Sequence, residues 1–344
     1  MDSDFKTHES VQDYYGRILQ SSTDLKTSAC CLTEALPARV LDALKNVHED
    51  VKNRFYGCGS PIPPALEGLK ALDLGCGSGR DCYVLAQLVG AEGQVTGLDM
   101  TEAQLEVARG TQAWHAERFG YANTRFVQGY IEQLDGIDDA SLDLVVSNCV
   151  INLSPDKERV FREIFRVLKP GGELYFADVF SDRRIPAALA ADPVMLGECL
   201  GGALYEEDFR RLMLRVGCAD VRIVTSRPLL INNPELEHHA GNIRFYSRTV
   251  RAFKLDLEDR CEDYGQVAIY LGTLPEAPHA FDLDNHHHFV SGKPMLVCGN
   301  TADMLGGSRY AAHFRVLGEK AQHFGLFDCA PPGAVVAASP GACC

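Results

Sequence analysis

The sequence predicts an α/β fold built on a doubly wound, mostly parallel sheet, and three stretches carry that prediction. The first is Ala71–Leu72–Asp73–Leu74–Gly75–Cys76–Gly77–Ser78–Gly79–Arg80–Asp81, an apolar run closed by a glycine-rich turn. A helical pattern with Tyr83, Leu85, Ala86 and Leu88 follows, so the unit reads as strand, tight turn, helix. The second is Val95–Thr96–Gly97–Leu98–Asp99–Met100, an apolar strand ending in an acid about twenty residues further on, the spacing of a ribose-binding carboxylate. The third is the run from Leu142 to Val150, whose near-continuous apolar character suits a parallel strand covered on both faces.

The other elements are placed around these. Residues 1–64 form an N-terminal helical segment, with a short helix over 10–19, a loop over 24–31 and a helix opened by Pro37 with Val40, Leu41, Leu44 and Val47 on one face. Residues 51–56 continue it. The segment ends in a rigid loop, Gly57–Cys58–Gly59–Ser60–Pro61–Ile62–Pro63–Pro64, placed over the mouth of the nucleotide fold. Residues 65–181 form the nucleotide-binding domain. Its strands cover 69–75, 94–99, 124–128, 142–150 and 173–179; its helices start near Arg80, span 102–119 behind a Thr101 cap, and span 158–168. Residues 182–255 supply an acceptor-binding insertion, helical over 183–201 and 205–216, then two terminal strands, 220–229 and 245–255. Residues 256–329 read as a small α+β C-terminal domain, with strands at 267–271 and 294–298 and short helices at 302–305 and 311–317. The tail, 330–344, is rich in Pro, Gly and Ala and reads as flexible.

At 344 residues the chain is long enough for a full α/β domain and further parts. A formal net charge of −14 disfavours nucleic acid and anionic membranes as partners. No run approaches the ~18 apolar residues of a membrane span, and the N-terminus has no basic start with an apolar core. The expectation is a soluble, cytoplasmic monomer acting on small molecules. The 13 cysteines are odd in number and contain no CxxC pair, which argues against a disulfide framework or a zinc ribbon.

The turn Gly75-x-Gly77-x-Gly79 is not the dinucleotide spacing, and no Gly-Lys-Ser/Thr follows to make a P-loop. Its Asp-x-Gly-x-Gly-x-Gly form resembles motif I of S-adenosylmethionine (SAM) methyltransferases; an NAD-type or degenerate site is the alternative. SAM is then the expected cofactor. Its candidate contacts are Asp73, Gly75, Cys76, Gly77 and Arg80 from the turn, and Asp99 and Met100 from the second strand. Ile131 and Glu132 come from a loop flanking the adenine, and Asn148 from the end of strand four. Tyr56 either faces the sulfonium with its ring or packs as a plain aromatic.

Ligands of open α/β sheets bind outside the carboxyl ends of the strands. Cys149 ends strand four, Cys199 lies on the insertion after strand five, and Cys58 sits on the rigid loop. These three thiols either converge above the transferred methyl or are buried as small hydrophobes. The second reading is assigned to Cys76, Cys82, Cys218, Cys261, Cys298 and Cys329.

Several motifs resemble those of the arsenite methyltransferases. They are Tyr14–Tyr15–Gly16, Asp24–Leu25–Lys26–Thr27–Ser28–Ala29–Cys30, Arg54–Phe55–Tyr56–Gly57–Cys58–Gly59, the glycine turn from Asp73 to Asp81, Gly129–Tyr130–Ile131–Glu132, Ser147–Asn148–Cys149–Val150–Ile151–Asn152–Leu153, Gly172–Glu173–Leu174–Tyr175–Phe176 and Gly197–Glu198–Cys199–Leu200–Gly201–Gly202–Ala203–Leu204. The resemblance implies a class I SAM-methyltransferase, Rossmann-like fold. It implies methyl transfer to arsenite and then methylarsenite, in arsenic detoxification. It makes Cys58, Cys149 and Cys199 the arsenic ligands and Cys30 the redox partner of Cys58. A thiol reductant, thioredoxin or glutathione, would sustain turnover. Soft trivalent arsenic chooses thiolates, which agrees with that donor set. A small organic acceptor, such as a sterol or quinone, is the rival substrate, although the acceptor side offers thiols rather than a His/Glu base. A non-catalytic thiol sensor of arsenite is the rival outside enzymes. Asp284–Asn285–His286–His287–His288 has the look of a metal site, but in an extended segment only His286 and His288 share a face, which disfavours one; His238–His239 reads as surface, and Cys343–Cys344 as either a metalloid scavenger or a tail peculiarity.

Overall fold

Fifteen short strands and the helices between them are placed in a computed structural model that describes residues 8, 11, 12 and 36–329. Cys30, Cys31, Cys343, Cys344 and most of the helix expected over 10–19 lie outside those residues.

The main sheet uses β1 (Lys70–Leu74), β2 (Gln94–Asp99), β3 (Thr124–Gln128), β4 (Leu142–Asn148), β5 (Leu168–Ser181), β6 (Leu204–Tyr205), β7 (Val221–Leu229) and β8 (Phe245–Phe253). Their order is β3-β2-β1-β4-β5-β8-β7, with β6 beside β5. The strands β3 to β5 along this path are parallel, and β8 joins antiparallel to both β5 and β7. Alternate residues feed two cores. Leu72, Leu74, Val145, Leu174 and Phe176 face one side, where Val160, Phe161 and Ile164 of the helix Lys157–Val167 pack. Ala71, Leu144, Val146 and Tyr175 face the other, against Tyr83 and Val84 of the helix Arg80–Val89. A sheet covered on both faces explains its continuous apolar strands.

The structure redraws several expected elements. The helix over 102–119 is two, Glu102–Gly110 and Gln112–Phe119. They part at Thr111, whose Oγ1 bonds back to the Val107 and Ala108 carbonyls at 3.2 and 3.1 Å, competing with the helix ladder. Thr101 makes no side-chain cap; Asp99 Oδ1 accepts the Thr101 amide at 2.8 Å instead. Strand five begins at Leu168, not 173, because Gly171 (φ +77°) and Gly172 extend its pairing toward Lys254. The long helix over 183–201 is two short ones, Ala187–Ala190 and Pro193–Gly197, each opened by a proline. Strands β7 and β8 are linked through the helix Pro234–Ala240.

The C-terminal unit contains β9 (Glu262–Asp263), β10 (Gln266–Tyr270), β11 (Ala280–Asp282), β12 (His288–Val290), β13 (Pro294–Val297), β14 (Phe314–Leu317) and β15 (Gly325–Leu326). A three-stranded sheet, β13-β10-β14, packs on the helix Gly299–Gly306. Residues 314–317 are a strand rather than the expected helix: buried Phe314 and half-buried Val316 alternate with exposed Arg315 and Leu317. A buried polar cluster fastens this unit to the main sheet. Glu173 Oε1 meets Arg251 Nε at 2.7 Å, and its Oε2 meets the Arg309 guanidinium at 2.5 Å.

Candidate active site

A cleft of about 930 Å³, open mouth included, lies at the carboxyl ends of β1, β2 and β4. Its lining includes every cofactor contact expected from the sequence except Arg80. The turn after β1 is left-handed at Gly75 (φ +68°) and Gly77 (φ +52°). A Cβ on Gly75 would strike Val150, whereas one on Gly77 would meet nothing within 4 Å and would occupy cleft space. Asp99 Oδ2 accepts the Gly77 amide at 2.8 Å, so the acid at the end of β2 and the turn brace each other. Burial raises the pKa of Asp99, and burial together with the nearby Asp81 raises that of Asp73 well above the usual range. Tyr56, Met100 and Ile131 supply apolar wall, and Glu132 accepts the Ser154 hydroxyl at 2.5 Å. The open space over Gly77, the acids and the apolar walls together fit SAM. Arg80 instead stands behind the wall: it grips Asp81 through Nε and NH2 at 2.9 and 2.7 Å and lies over the Phe55 ring.

The three candidate arsenic thiols belong to one buried cluster, and Cys149 among them also lines the cleft. Asn148 places the Cys58 loop. Its Oδ1 accepts the Gly59 amide at 3.2 Å, and its Nδ2 donates to the Gly59 carbonyl at 2.9 Å and to Asp81 Oδ2 at 3.0 Å. The loop lies so close that a Cβ on Gly57 would strike Phe55 and Asn148, and one on Gly59 would strike Ala177. Ser247 Oγ donates to the Cys58 carbonyl at 3.0 Å from the far side.

Cys149 and Cys199 both have left-handed backbones, with φ of +59° and +62°. Cysteine has no intrinsic preference for that region, so the surroundings impose it, as at many functional sites. The Cys149 amide donates to Ala177 of β5 at 2.8 Å, and the Cys199 thiol to the Cys149 carbonyl at 3.1 Å. Asn152 reaches across to the Val179 and Cys199 carbonyls, at 2.6 and 3.5 Å. Gly202 passes so close that a Cβ there would run into the Asn152 carbonyl.

The disulfide formed by Cys58 runs to Cys149, with 5.9 Å between their Cα atoms. It does not run to Cys30, which lies outside the described residues. Sequence reasoning passed over Asp178. This acid is fully buried in apolar β5, and a carboxylate oxygen lies within 4.8 Å of both the Cys58 and Cys149 sulfurs. Burial pushes Asp178 up to about 7, against the amides of Val179 and Asn152 that hold it at 2.8 and 3.1 Å. An acid inside an apolar strand was the available signal. Of the His286–His288 tract, His287 is buried and bonds Asp284 through Nδ1 at 2.8 Å.

Comparison with known proteins agrees with this geometry. Residues 65–217 match a family described as a methyltransferase domain, and residues 263–334 match the arsenite methyltransferase C-terminal domain. Arsenite methyltransferase of Aquipseudomonas alcaligenes is 56% identical, over 93% of this chain and 94% of its own. Arsenite methyltransferase of Homo sapiens is 45% identical, over 92% of this chain and 86% of its own. The crystal structure of an arsenic(III) S-adenosylmethionine methyltransferase from Chlamydomonas reinhardtii superposes with a TM-score of 0.83 at 55% identity, covering 86% of this chain and 100% of that one. No helix among the described residues is long and apolar enough to cross a membrane. A class I methyltransferase sheet, a cleft lined by the expected cofactor contacts, three gathered thiols and these relatives lead to one conclusion: the chain belongs to the arsenite methyltransferase family, SAM-dependent enzymes acting on trivalent arsenic.

Proposed function

We propose that Cys58, Cys149 and Cys199 hold arsenite as a tris-thiolate, and that the Cys58–Cys149 disulfide is an oxidised form that must be opened before arsenic binds. The observation that carries this reading is the convergence of the three cysteines, two of them on strained backbone, beside the cleft that the cofactor candidates line. Each As–O bond is exchanged for an As–S bond, and each thiol proton leaves on the departing hydroxide as water. Three thiolates leave the arsenic lone pair on the open side, and the thiol cluster orients it toward the cleft. Bound SAM supplies the electrophile, a methyl on a sulfonium. No general base is required, because the nucleophile carries no proton. Asp99 binds the ribose hydroxyls, Gly75 and Gly77 admit the cofactor closely, and Tyr56, Met100, Ile131 and Glu132 enclose its other parts. Arg80 positions Asp81 and Asn148 rather than touching the cofactor.

Methyl transfer takes arsenic from +3 to +5 as the rest of SAM leaves as the thioether; Cys30 and Cys58 supply the two electrons that return arsenic to +3 and become a disulfide, which a thiol reductant, thioredoxin or glutathione, opens by exchange. A reducing cytoplasm suits an enzyme that works through reduced thiols, and the reading is of a monomer that completes its site from one chain.

Two outcomes test the reading. Arsenite titrated by calorimetry into air-oxidised protein should give no binding at the site, and binding there should appear after reduction; equal binding before and after would exclude the thiol cluster. Asp99→Ala should weaken SAM about tenfold to a hundredfold while sparing arsenite, since a charged hydrogen bond is worth about 1.5–3 kcal/mol. Unchanged SAM affinity would remove Asp99 from the site.

A further inference from the structure

A second dithiol lies outside the catalytic cluster. Cys298 caps the helix Gly299–Gly306, with its sulfur 3.5 Å from the Thr301 amide and 3.3 Å from Thr301 Oγ1. The Cys261 thiol hydrogen-bonds to that sulfur, and Arg222 NH2 lies 3.9 Å away. All three residues are buried. Arg222 comes from β7 of the main sheet and is itself fixed by Asp220 and Asp284, at 2.7 and 3.2 Å. The pair therefore sits where the C-terminal unit meets the sheet.

We infer that Cys261 and Cys298 form a second thiol site that binds trivalent arsenicals with two exchangeable valences, of which methylarsenite is the simplest. The inference rests on the family's substrate class but not on the assignment of Cys58, Cys149 and Cys199. Two sulfurs in hydrogen-bond contact need little movement to be bridged by one arsenic. The step balances without redox: two As–O bonds of CH3As(OH)2 break, two As–S bonds form, and the thiol protons leave in two waters. The surroundings favour sulfur as the ligand. The Cys261 thiol, then the Arg222 charge and the Thr301 groups, outweigh burial and hold Cys298 down at about 5. A buried pair elsewhere makes the contrast. Cys76 hydrogen-bonds with Cys82 among Asp73 and Asp99, and burial with those carboxylates pushes Cys76 up to about 11. That pair stays protonated and inert. The backbone at Cys261 is held by a two-residue ladder, Gly325–Leu326 on Glu262–Asp263, and by Phe327 N donating to the Cys261 carbonyl at 2.7 Å. A ladder that short opens locally at little cost.

The test counts methylarsenite on the full chain by native mass spectrometry. The background carries serine at Cys30, Cys31, Cys58, Cys149, Cys199, Cys343 and Cys344, with folding checked by SAM binding. One equivalent should bind. Adding Cys298→Ser or Cys261→Ser should abolish it, and adding Cys82→Ser should not. In the otherwise unaltered, reduced chain, Cys298→Ser should lower the count by one yet leave arsenite methylation active. No adduct in the folded background, an adduct that survives Cys298→Ser, or an unchanged count in the unaltered chain would overturn the inference. Failure of the catalytic assignment would show instead as arsenite methylation that survives loss of Cys149 or Cys199.

Discussion

Replacing either Cys149 or Cys199 with serine is expected to abolish methylation of both arsenite and methylarsenite. Arsenite has three valences for thiolates and methylarsenite only two. Cys149 directly follows β4 and lines the cleft, and Cys199 donates to its carbonyl at 3.1 Å, so these two hold either substrate. A serine oxygen is a hard donor that soft arsenic disfavours. Losing one ligand also loses the orientation of the lone pair, so turnover should fall more than about a hundredfold. Cys58→Ser should be selective: it removes the third ligand of arsenite but leaves methylarsenite two thiolates. Product speciation by liquid chromatography, with each substrate under a thiol reductant, reads this directly. Equal loss on both substrates in folded, SAM-binding Cys58→Ser would contradict the division of roles.

The second large effect is on stability. Glu173 is fully buried at the junction of the two units, where its carboxylate faces Arg251 and Arg309. Arg251 NH2 donates to Tyr310 Oη at 3.1 Å and its NH1 to the Leu283 carbonyl at 2.5 Å, so one acid holds a network drawn from both units. Glu173→Gln leaves one buried guanidinium group, Arg251, and one half-buried, Arg309, short of their counter-charge. Breaking a buried pair from one side costs about 3–5 kcal/mol. The variant's urea unfolding midpoint should drop accordingly, and the C-terminal unit should become sensitive to protease first. A midpoint within about 0.5 kcal/mol of the parent, as for ordinary surface changes, would show that the cluster does not fasten the units.

The sequence was most legible where local chemistry and tertiary packing agree. The turn at Gly75–Gly79 and the apolar run of β4 report on the fold because sheet strands covered on both faces leave little choice of residue. The same runs placed Asp99, Asn148 and Cys149. What sequence reasoning missed was set by residues distant along the chain. Thr111 breaks a helix by bonding its own backbone, and β14 has a strand period too short to separate from a helix turn. The left-handed backbone at Cys149 and Cys199 follows from Ala177 and Asn152, which no local pattern reveals. Cys298 reads as an inert hydrophobe until β7 brings Arg222 to it. Arg80 follows the glycine turn, and its guanidinium pairs with the neighbouring Asp81, a geometry that the turn motif does not reveal.

Arsenic K-edge X-ray absorption on the reduced protein tests the central claim most directly, with Cys30, Cys31, Cys261, Cys298, Cys343 and Cys344 replaced by serine and one equivalent of arsenite bound. The account expects three sulfur neighbours and no oxygen in the first shell, and two sulfurs with one oxygen in the same protein carrying Cys58→Ser. An arsenic shell that keeps three sulfurs in the Cys58→Ser protein, or that shows mostly oxygen before the substitution, would contradict it.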